Sequence, residues 1–190
     1  MRGVIVQELV SADGFVAGPS GELDFFEAVP DQDYHEADRD NLQLLGAVDT
    51  IALGRTTYEM FAQFWPTAEG EEMAEMVNST PKLVFSSTLE AAPWGDLRPA
   101  TVLSGDAATH LDRLRREPGG DIVVWGSISL ARSLIGAGLV SELQLRVVPV
   151  LIGEGLSLLS PDVGRRDLTL LEAKPYASGI VSLRYALPRG

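Results

Sequence analysis

Residues 51–61 read IALGRTTYEMF, and this stretch decides the fold because a single glycine joins a strand pattern to a helix pattern. The apolar run before Gly54 is typical of a buried strand, and the spacing after it is typical of a helix. Thr56 and Glu59 have the spacing of a capping box, so we expect Thr56 to cap the helix while Glu59 reaches back to its amide. The stretch is therefore predicted to be a strand-to-helix corner.

A second corner of the same design follows the apolar strand DIVVW (121–125), where Gly126 precedes Ser127, another expected cap. Free N–H groups and the helix dipole make such a helix start an anion site. Ligands of open α/β sheets bind at the carboxyl ends of the strands. With SST (86–88) ending a strand that lies between the two corners in the sequence, these residues predict a polar rim of phosphate size. Helix capping without any ligand is the alternative.

Arg55 stands where the positive end of the helix dipole disfavours a cation. An anionic ligand would relieve this conflict and accept a fork of hydrogen bonds from the guanidinium. An arginine that points into solvent is the alternative.

The segment SADGFVAGPSGELDFF (11–26) is the other glycine-rich candidate. The first strand ends near Ser11, and Asp13 with Gly14 forms a turn. The glycines that follow favour either a long flexible lid or an ordinary β-turn. VLIGEG (150–155) gives a weaker signal for turns that approach a ligand.

Apolar β-branched runs alternate with helical patterns along the chain, which predicts an α/β sheet with parallel central strands. From Ser141 onward no helix is expected, so the last strands should form an antiparallel edge on a mixed sheet. The predicted strands are 3–10, 48–53, 82–87, 100–103, 121–125, 141–150, 167–175 and 179–187. The predicted helices are 33–46, 57–65, 69–78, 106–117 and 127–137.

Composition limits the class of protein. A chain of 190 residues fits one domain, 1–190, and its net charge of −12 weighs against nucleic-acid binding. No apolar stretch approaches the roughly 20 residues of a membrane span, and no signal peptide is evident, so a cytoplasmic protein is expected. Cysteine is absent, and His35 and His110 lack metal-ligand spacing, so no metal site is predicted.

Five segments resemble, in order and spacing, the dihydrofolate reductase fold. They are more similar still to the stand-alone relatives of the riboflavin-biosynthesis reductase domain, the C-terminal part of a bifunctional deaminase–reductase. The resemblance covers essentially the whole chain and implies a three-layer α-β-α domain with a central mixed sheet of about eight strands. The segments are SADGFVAG (11–18), LGRTTYE (53–59), LVFSS (83–87), VVWGSISLARSLI (123–135) and ELQLRVVPVLIGEG (142–155).

The resemblance implies an NADPH-binding reductase and assigns its cofactor contacts. Arg55 would contact the adenosine phosphate and Thr57 the pyrophosphate, in a corner that includes Gly54 and Thr56. An arginine with hydroxyl groups suits a 2′-phosphate, and free helix amides suit a pyrophosphate. The other cofactor positions are Ser86 and Ser87 at the adenosine-phosphate end, Gly126, Ser127 and Ile128 around the pyrophosphate and nicotinamide ribose, and Val16 and Ala17 beside the nicotinamide.

The substrate end departs from the dihydrofolate reductases. Their Trp-Pro pair in the lid is missing, and the first helix offers Asp33, Glu36, Asp40 and Asn41 as catalytic candidates without singling one out. Asn41 falls on the inward stripe of that helix, as a ligand-binding group or as a satisfied core amide. The zinc deaminase motifs H-x-E and P-C-x-x-C are absent, which excludes the complete bifunctional enzyme.

The leading hypothesis is an NADPH-dependent reductase of a small planar C=N, C=O or heterocyclic substrate, pterin-like or pyrimidine-like. The proton could come from a lid-gated water or from a first-helix carboxylate. The resemblance also implies a homodimer built on the late strands. The alternatives are a non-catalytic homodimeric protein that kept only the nucleotide pocket, and an acidic oligomeric scaffold.

Overall fold

Strands and helices alternate along most of the chain, and its last part contains strands joined by turns. The computed structural model describes residues 1–30, 34–159 and 161–188. The strands are β1 (Val4–Ser11), β2 (Phe15–Ala17), β3 (Val48–Gly54), β4 (Lys82–Phe85), β5 (Ala92–Trp94), β6 (Leu97–Leu103), β7 (Asp121–Trp125), β8 (Glu142–Val148), β9 (Leu156–Ser157), β10 (Thr169–Pro175) and β11 (Val181–Ala186). The helices are α1 (His35–Leu44), α2 (Arg55–Phe64), α3 (Ala74–Ser79), α4 (Ala107–Leu114) and α5 (Ile128–Gly136).

Within the described residues, nine strands form one sheet in the order β10-β11-β8-β1-β7-β3-β4-β6-β5. The six strands from β8 to β6 run parallel to one another. β11 and β10 add an antiparallel edge beyond β8. The predicted mixed sheet with an antiparallel C-terminal edge is therefore confirmed.

The sheet has nine strands where the sequence predicts about eight, because β5 pairs antiparallel with β6 at the far edge. β5 is three residues long, and its central Pro93 lacks the N–H that a ladder needs, which an edge strand tolerates. So short a run carries no periodic pattern. The equally short β2 and β9, which pair only with each other, escape prediction for the same reason.

Helices cover both faces of the sheet. α4 and α5 bury Leu111 and Leu134 in the apolar cluster on one face. α2 and α3 bury Tyr58 and Val77 in the cluster on the opposite face, where Leu42 of α1 also packs. The three-layer α-β-α architecture is thus as predicted.

Helix limits differ from the sequence patterns mainly where backbone torsions intervene. α1 spans His35–Leu44 against a prediction of 33–46, and a 3-10 turn at Leu45–Ala47 follows it. α3 begins at Ala74 rather than at residue 69, because Gly70 has a φ of +81°, which a helix excludes. Tyr34 and Met73, which precede α1 and α3, both line the cleft described below.

After β1 the chain continues on one face of the sheet, and after β7 it continues on the other. These two strands are parallel neighbours, yet the chain continues from β1 to α1 on one face and from β7 to α5 on the other. Neighbouring strands whose connections diverge in this way open a crevice at their carboxyl ends, which is where open α/β sheets bind ligands. The topology therefore places a binding site beyond the ends of β1 and β7.

In the part of the chain that the structure describes, no helix is long and apolar enough to cross a membrane. The same residues contain no group of three or more histidine and carboxylate side chains that could hold a metal ion. His35 begins α1 and His110 lies in α4, so the sheet separates the two histidines.

Candidate functional site

A cleft of about 1140 Å³ lies at the crevice between β1 and β7. It exceeds the roughly 300–1,000 Å³ of most small-molecule pockets, so it has room for a ligand larger than one ring system. We distinguish three parts. The α1 wall contains Gln7, Asp38, Asn41 and Arg146, the α5 wall contains Glu8, Val16, Leu130 and Arg132, and the corner rim contains Gly54, Arg55, Thr56, Thr57, Gly126, Ser127 and Ile128.

The corner rim joins the ends of β3 and β7 by two hydrogen bonds. The Gly54 N–H donates to Ser127 Oγ at 2.7 Å. The Ser127 N–H donates to Thr57 Oγ1 at 2.9 Å. The two predicted corners therefore interlock, and the side chains of Thr57 and Ser127 hold backbone rather than pointing freely into the cleft.

Backbone torsions at the second corner require glycine. Gly126 has a φ of +52°, and a Cβ there would lie 3.0 Å from the Thr57 side chain. Ser127 follows with a φ of +59°, and it is the one non-glycine residue with positive φ in the described chain. Such a conformation costs about 1–2 kcal/mol for an L-residue, so it persists only where neighbouring contacts hold it, as the Gly54 and Thr57 hydrogen bonds do here.

The predicted cap is wrong at the first corner, and at the second corner the predicted N-cap position is confirmed but its side chain does not cap the helix. α2 begins at Arg55 with Gly54 at the N-cap, two residues earlier than a cap at Thr56 would place it, and Glu59 accepts from Arg55 Nε at 2.7 Å instead of reaching an amide. Ser127 occupies the N-cap of α5, but its hydroxyl donates to the Trp125 carbonyl. Among the described residues, no side chain caps either helix, so the first-turn N–H groups of both remain available to an anion.

Arg55 extends from the corner rim along the surface. Beside its ion pair with Glu59, it donates to Thr88 Oγ1 at 2.8 Å. Ser86 Oγ accepts from the N–H groups of Thr88 and Leu89 in the same turn. Ser86 and Ser87 thus follow β4 next to the arginine, although neither lines the cleft itself.

A hydrogen-bond network of buried amides forms the centre of the α1 wall. Gln7 Nε2 donates to Asn41 Oδ1 and to Gln144 Oε1, each at 2.6 Å. Its Oε1 accepts from Trp125 Nε1 at 2.6 Å and from Asn41 Nδ2 at 3.1 Å. Asn41 therefore lines the cleft and is satisfied within the core, and its role as a ligand-binding group stays a prediction.

Asp38 is the first-helix carboxylate that faces the cleft, and sequence reasoning missed it. Arg146 NH1 donates to Asp38 Oδ1 at 2.6 Å, while NH2 donates to the Ala37 carbonyl at 3.1 Å. Asp38 lies three residues before Asn41 on the same helix face, so helical spacing from the inward Asn41 could have found it. Its partner Arg146 lies on β8, far away in the sequence, and gave no local signal.

The other catalytic candidates lie elsewhere. Glu36 is exposed on α1 and does not line the cleft. Asp40 pairs with Lys174 and accepts from Tyr176 Oη at 3.0 Å, beside a separate groove of about 180 Å³. The hydrogen bond from Lys174 lowers the pKa of Asp40. Asp33 lies outside the described residues.

Glu8 is the second residue that sequence reasoning missed. Alternation along β1 places it on the face of Val4, Val6 and Val10, within the apolar cluster that packs on α5. It is 6% exposed, and its Oε1 has no hydrogen-bond partner in the described structure. Burial alone raises the pKa of Glu8 to about 8, so the neutral acid predominates at pH 7. A carboxyl group on the inward side of an apolar strand was the available signal.

Hydrogen bonds and a short strand pair hold residues 11–17, the first part of the predicted lid segment. The Gly14 N–H donates to the Ser11 carbonyl, which confirms the expected turn. The Asp13 carboxylate accepts from Ser11 Oγ at 2.6 Å and from the Gly153 N–H at 2.7 Å, and these two hydrogen bonds, the one from Ser11 first, lower its pKa. β2 then pairs with β9 and brings Val16 and Ala17 to the cleft. At Gly155 a Cβ would meet the Ala17 carbonyl at 2.2 Å, so this approach needs glycine.

Comparison with known proteins gives the family. Residues 2–182 match the RibD C-terminal domain, and the chain belongs to that family. It is 30% identical over 188 residues to the uncharacterized protein YyaP of Bacillus subtilis strain 168, covering 97% of this chain and 94% of YyaP. It is 24% identical over 179 residues to the uncharacterized protein YwjB of the same organism, covering 94% and 95% of the two chains.

Solved structures share the fold. A putative riboflavin biosynthesis protein from Shewanella sp. PV-4 superposes with a TM-score of 0.78 at 20% identity, over 98% of this chain and 99% of that one. Dihydrofolate reductase from Enterococcus faecalis, complexed with NADP(H) and RAB-propyl, gives 0.62 at 12% identity, over 97% and 96%. RibD of Acinetobacter baumannii gives 0.70 at 17% identity, where this chain covers 58% of the longer protein. The predicted resemblance is confirmed.

Proposed function

We propose that the protein is an NADPH-dependent reductase that transfers hydride to a small planar substrate of pyrimidine-like or related heterocyclic chemistry. The observation that carries this proposal is the corner rim, where two uncapped helix N-termini meet at the topological switch point of the sheet. Membership of the RibD C-terminal domain family supports it. The E. faecalis dihydrofolate reductase of the same fold is described as a complex with NADP(H).

The corner rim suits the cofactor's pyrophosphate. The first-turn N–H groups of α2 and α5 offer donors and positive dipole ends, while Gly54 and Gly126 keep side chains away from the approaching phosphates. Arg55, held beside Ser86 by Thr88, would reach the adenosine phosphate. The bound cofactor would supply the hydride, and the protein would orient the two rings.

The α1 wall suits the substrate. Its amides and the Asp38–Arg146 pair present donors and acceptors in orientations fixed by mutual hydrogen bonds. A planar heterocycle with ring N–H and C=O groups could exchange hydrogen bonds with such a preorganised edge. Asp38, rather than Glu36 or Asp40, is the described first-helix carboxylate with access to a bound substrate.

The cofactor assignment is tested by titrating the protein with NADPH and NADH while nicotinamide fluorescence is followed. The variant Arg55→Ala should weaken NADPH binding about 10- to 100-fold, because charge-assisted hydrogen bonds to the 2′-phosphate are lost. NADH binding should change less than about 3-fold, since NADH lacks that phosphate.

The exposed Arg165, which pairs with Asp167 away from the cleft, provides the matched control Arg165→Ala. It should leave both affinities unchanged. An equal loss of NADPH and NADH in Arg55→Ala would remove the 2′-phosphate role. Absence of binding by both nucleotides at about 100 μM, near the upper range of common KM values, would reject the nucleotide site itself.

A non-catalytic nucleotide-binding protein is the second candidate. The observation that favours it is the closed hydrogen bonding of the α1 wall, where the carboxylate of Asp38 already pairs with Arg146. Binding of NADPH without oxidation over a panel of pterins, quinones and aminopyrimidines would support this candidate. Stoichiometric substrate-dependent loss of absorbance at the reduced-nicotinamide band would reject it.

We also propose a homodimer built on the late strands. β10 is the exposed edge of the sheet, and Leu168, Leu170 and Leu171 are 41%, 54% and 50% exposed there. An exposed apolar edge strand is a ready template for pairing with a second copy. Sedimentation equilibrium should give twice the chain mass, and Leu170→Lys should shift it to the monomer.

A further inference from the structure

Glu8 is a buried carboxyl group among apolar side chains, and its Oε1 has no hydrogen-bond partner among the described residues. On its side of β1 the neighbours are Val6 and Val10, and across the strand pair it faces Leu145 of β8. Buried carboxyl groups in folded proteins are nearly always hydrogen-bonded, and an unpaired one costs roughly 1–3 kcal/mol. Such a group calls for an explanation, and a ligand that completes its hydrogen bonds is a direct one.

The position of Glu8 relative to the corner rim indicates which part of a ligand it meets. Gln7 pairs with Trp125 of β7, so the Gly126 turn follows immediately beside Glu8. A dinucleotide whose phosphates lie at the corner rim would continue along the α5 wall. That wall is lined by Val16, Leu130 and Leu156, whose apolar surfaces suit the faces of a flat ring.

The chemistry of a neutral carboxylic acid narrows the ligand group. The protonated acid offers one O–H donor and one C=O acceptor side by side. A primary amide offers the complementary pair, a C=O acceptor and an N–H donor. Two hydrogen bonds can therefore form in one plane, which neither a phosphate nor a plain ketone can match.

We propose that Glu8, in its neutral form, pairs with the carboxamide of the nicotinamide ring and thereby fixes the orientation of that ring in the cleft. The proposal rests on the proposed function, because it takes NADPH as the ligand. The acid O–H donates to the carboxamide oxygen, and the carboxamide N–H donates to the acid C=O. Glu8 is in this sense a positioning residue of the reductase.

Other charged groups in the cleft leave Glu8 neutral. Arg132 of α5 donates to the carbonyls of Ser157 and Leu158, and Arg146 pairs with Asp38 on the opposite wall. Arg55 pairs with Glu59 at the corner rim, and Glu27 lies on the segment before α1. Burial is the one cause that raises the pKa of Glu8, to about 8.

The test compares wild type with Glu8→Gln and Glu8→Leu by equilibrium binding of two probes between pH 7 and pH 9.5. The probes are NADPH and its reduced 3-acetylpyridine analogue, in which a methyl ketone replaces the carboxamide and removes its N–H donor. Glutamine keeps a donor and an acceptor at every pH, whereas leucine keeps neither.

Wild type should bind NADPH about 10-fold tighter than the analogue at pH 7, and its NADPH affinity should fall above pH 8 as Glu8 ionises and loses its donor. Glu8→Gln should bind NADPH within about 3-fold of wild type at pH 7, and its affinity should not fall above pH 8. Any fall that wild type and Glu8→Gln share would come from titration of the ligand and is subtracted. Glu8→Leu should bind NADPH about 10- to 30-fold more weakly and lose the preference over the analogue.

Unchanged NADPH affinity and unchanged preference in Glu8→Leu would overturn the proposal while leaving the nucleotide site intact. Failure of wild type to bind NADPH would instead reject the proposed function, and this inference with it. Circular dichroism of each variant checks folding. If the leucine variant does not fold, the pH profile of Glu8→Gln against wild type decides: parallel profiles would overturn the proposal.

Discussion

Gln7 and Glu8 are consecutive residues of β1 that point into opposite walls of one cleft. Both are buried, at 7% and 6% exposure. Gln7 bonds to Asn41, Trp125 and Gln144, so its amide is fully used within the α1 wall. Glu8 bonds to none of the described residues through its buried Oε1. Two consecutive residues thus differ in that the polar atoms of Gln7 are all hydrogen-bonded, while Oε1 of Glu8 is not.

The difference separates a wall whose polar groups are satisfied by folding from a wall that keeps an unpaired acid. Folding has already satisfied the α1 wall, so its groups are oriented before any substrate arrives. The α5 wall keeps an unpaired acid at a cost in stability, which is a pattern expected of functional sites rather than of cores. Substitutions at the two positions should therefore change stability in opposite directions.

The largest effect is expected for Glu8→Leu in the ligand-free protein. The pKa of Glu8 is raised from about 4.5 to about 8, so the unfolded chain ionises first as pH rises. The contribution of Glu8 to stability should consequently be fully present below pH 4.5, decrease between pH 4.5 and pH 8, and be lost above it, whereas a carboxylate with a lowered pKa such as Asp40 acts in the opposite direction at low pH. The slope is at most about 1.4 kcal/mol per pH unit, so over this window the contribution of Glu8 changes by on the order of 5 kcal/mol.

Urea denaturation at several pH values measures this dependence. Glu8→Leu should be more stable than wild type, by a margin that grows as pH rises. Glu8→Gln is the matched control, since it removes the titration but keeps an unpaired polar group. If the wild-type and leucine curves ran parallel from pH 4.5 to pH 8, Glu8 would not be the unpaired acid that defines the α5 wall.

The opposite change is expected for Gln7→Leu. It leaves Asn41, Trp125 Nε1 and Gln144 without their buried partner, so the free energy of unfolding should fall by about 3 kcal/mol. The exposed Gln63 on α2 gives a matched control, because Gln63→Leu should stay within about 0.5 kcal/mol of wild type. If Gln7→Leu were as stable as the control, the hydrogen bonds of Gln7 would not stabilise the α1 wall, and the two walls would not differ in the way described.

Much of the architecture could be predicted because it is encoded locally. The apolar run at 121–125 forms β7 with the predicted limits, and the glycine at position 54 ends β3 where the helix begins. Both strand-to-helix corners lie where the sequence predicts them, and at the second corner the φ of +52° at Gly126 requires glycine, whereas Gly54 has an ordinary extended φ of −81°. The cap at Thr56 is wrong, and Ser127 holds the N-cap position without a capping side chain, because a hydroxyl near a helix start can also bond to a neighbouring strand.

The polar groups of the cleft could only be predicted in part because their partners are distant in the chain. Asp38 differs from Glu36 and Asp40 because it pairs with Arg146 in the cleft. Arg146 lies 108 residues away in the sequence, so local patterns do not reveal this pair. Glu8 stood in an apolar run that was predicted as a strand, and only the packing of α5 shows that its side is buried. Short-range periodicity predicts which face a residue occupies, while pairing and desolvation depend on the assembled sheet.

A third substitution tests the corner rim, where the two walls meet. Gly126→Ala would force an L-residue to a φ of +52° and bring its Cβ to 3.0 Å from Thr57, against the hydrogen bond that Thr57 accepts from Ser127. We expect the free energy of unfolding to fall by about 2 kcal/mol.

The control is Gly136→Ala, at the end of α5 with open space around it, whose free energy of unfolding should instead rise by up to about 1 kcal/mol. If both glycine variants changed the free energy of unfolding equally in urea denaturation, the joined corners would adapt to a Cβ at position 126 without loss of stability. The two walls could then move independently, and the contrast between Gln7 and Glu8 would hold for one conformation of the cleft only.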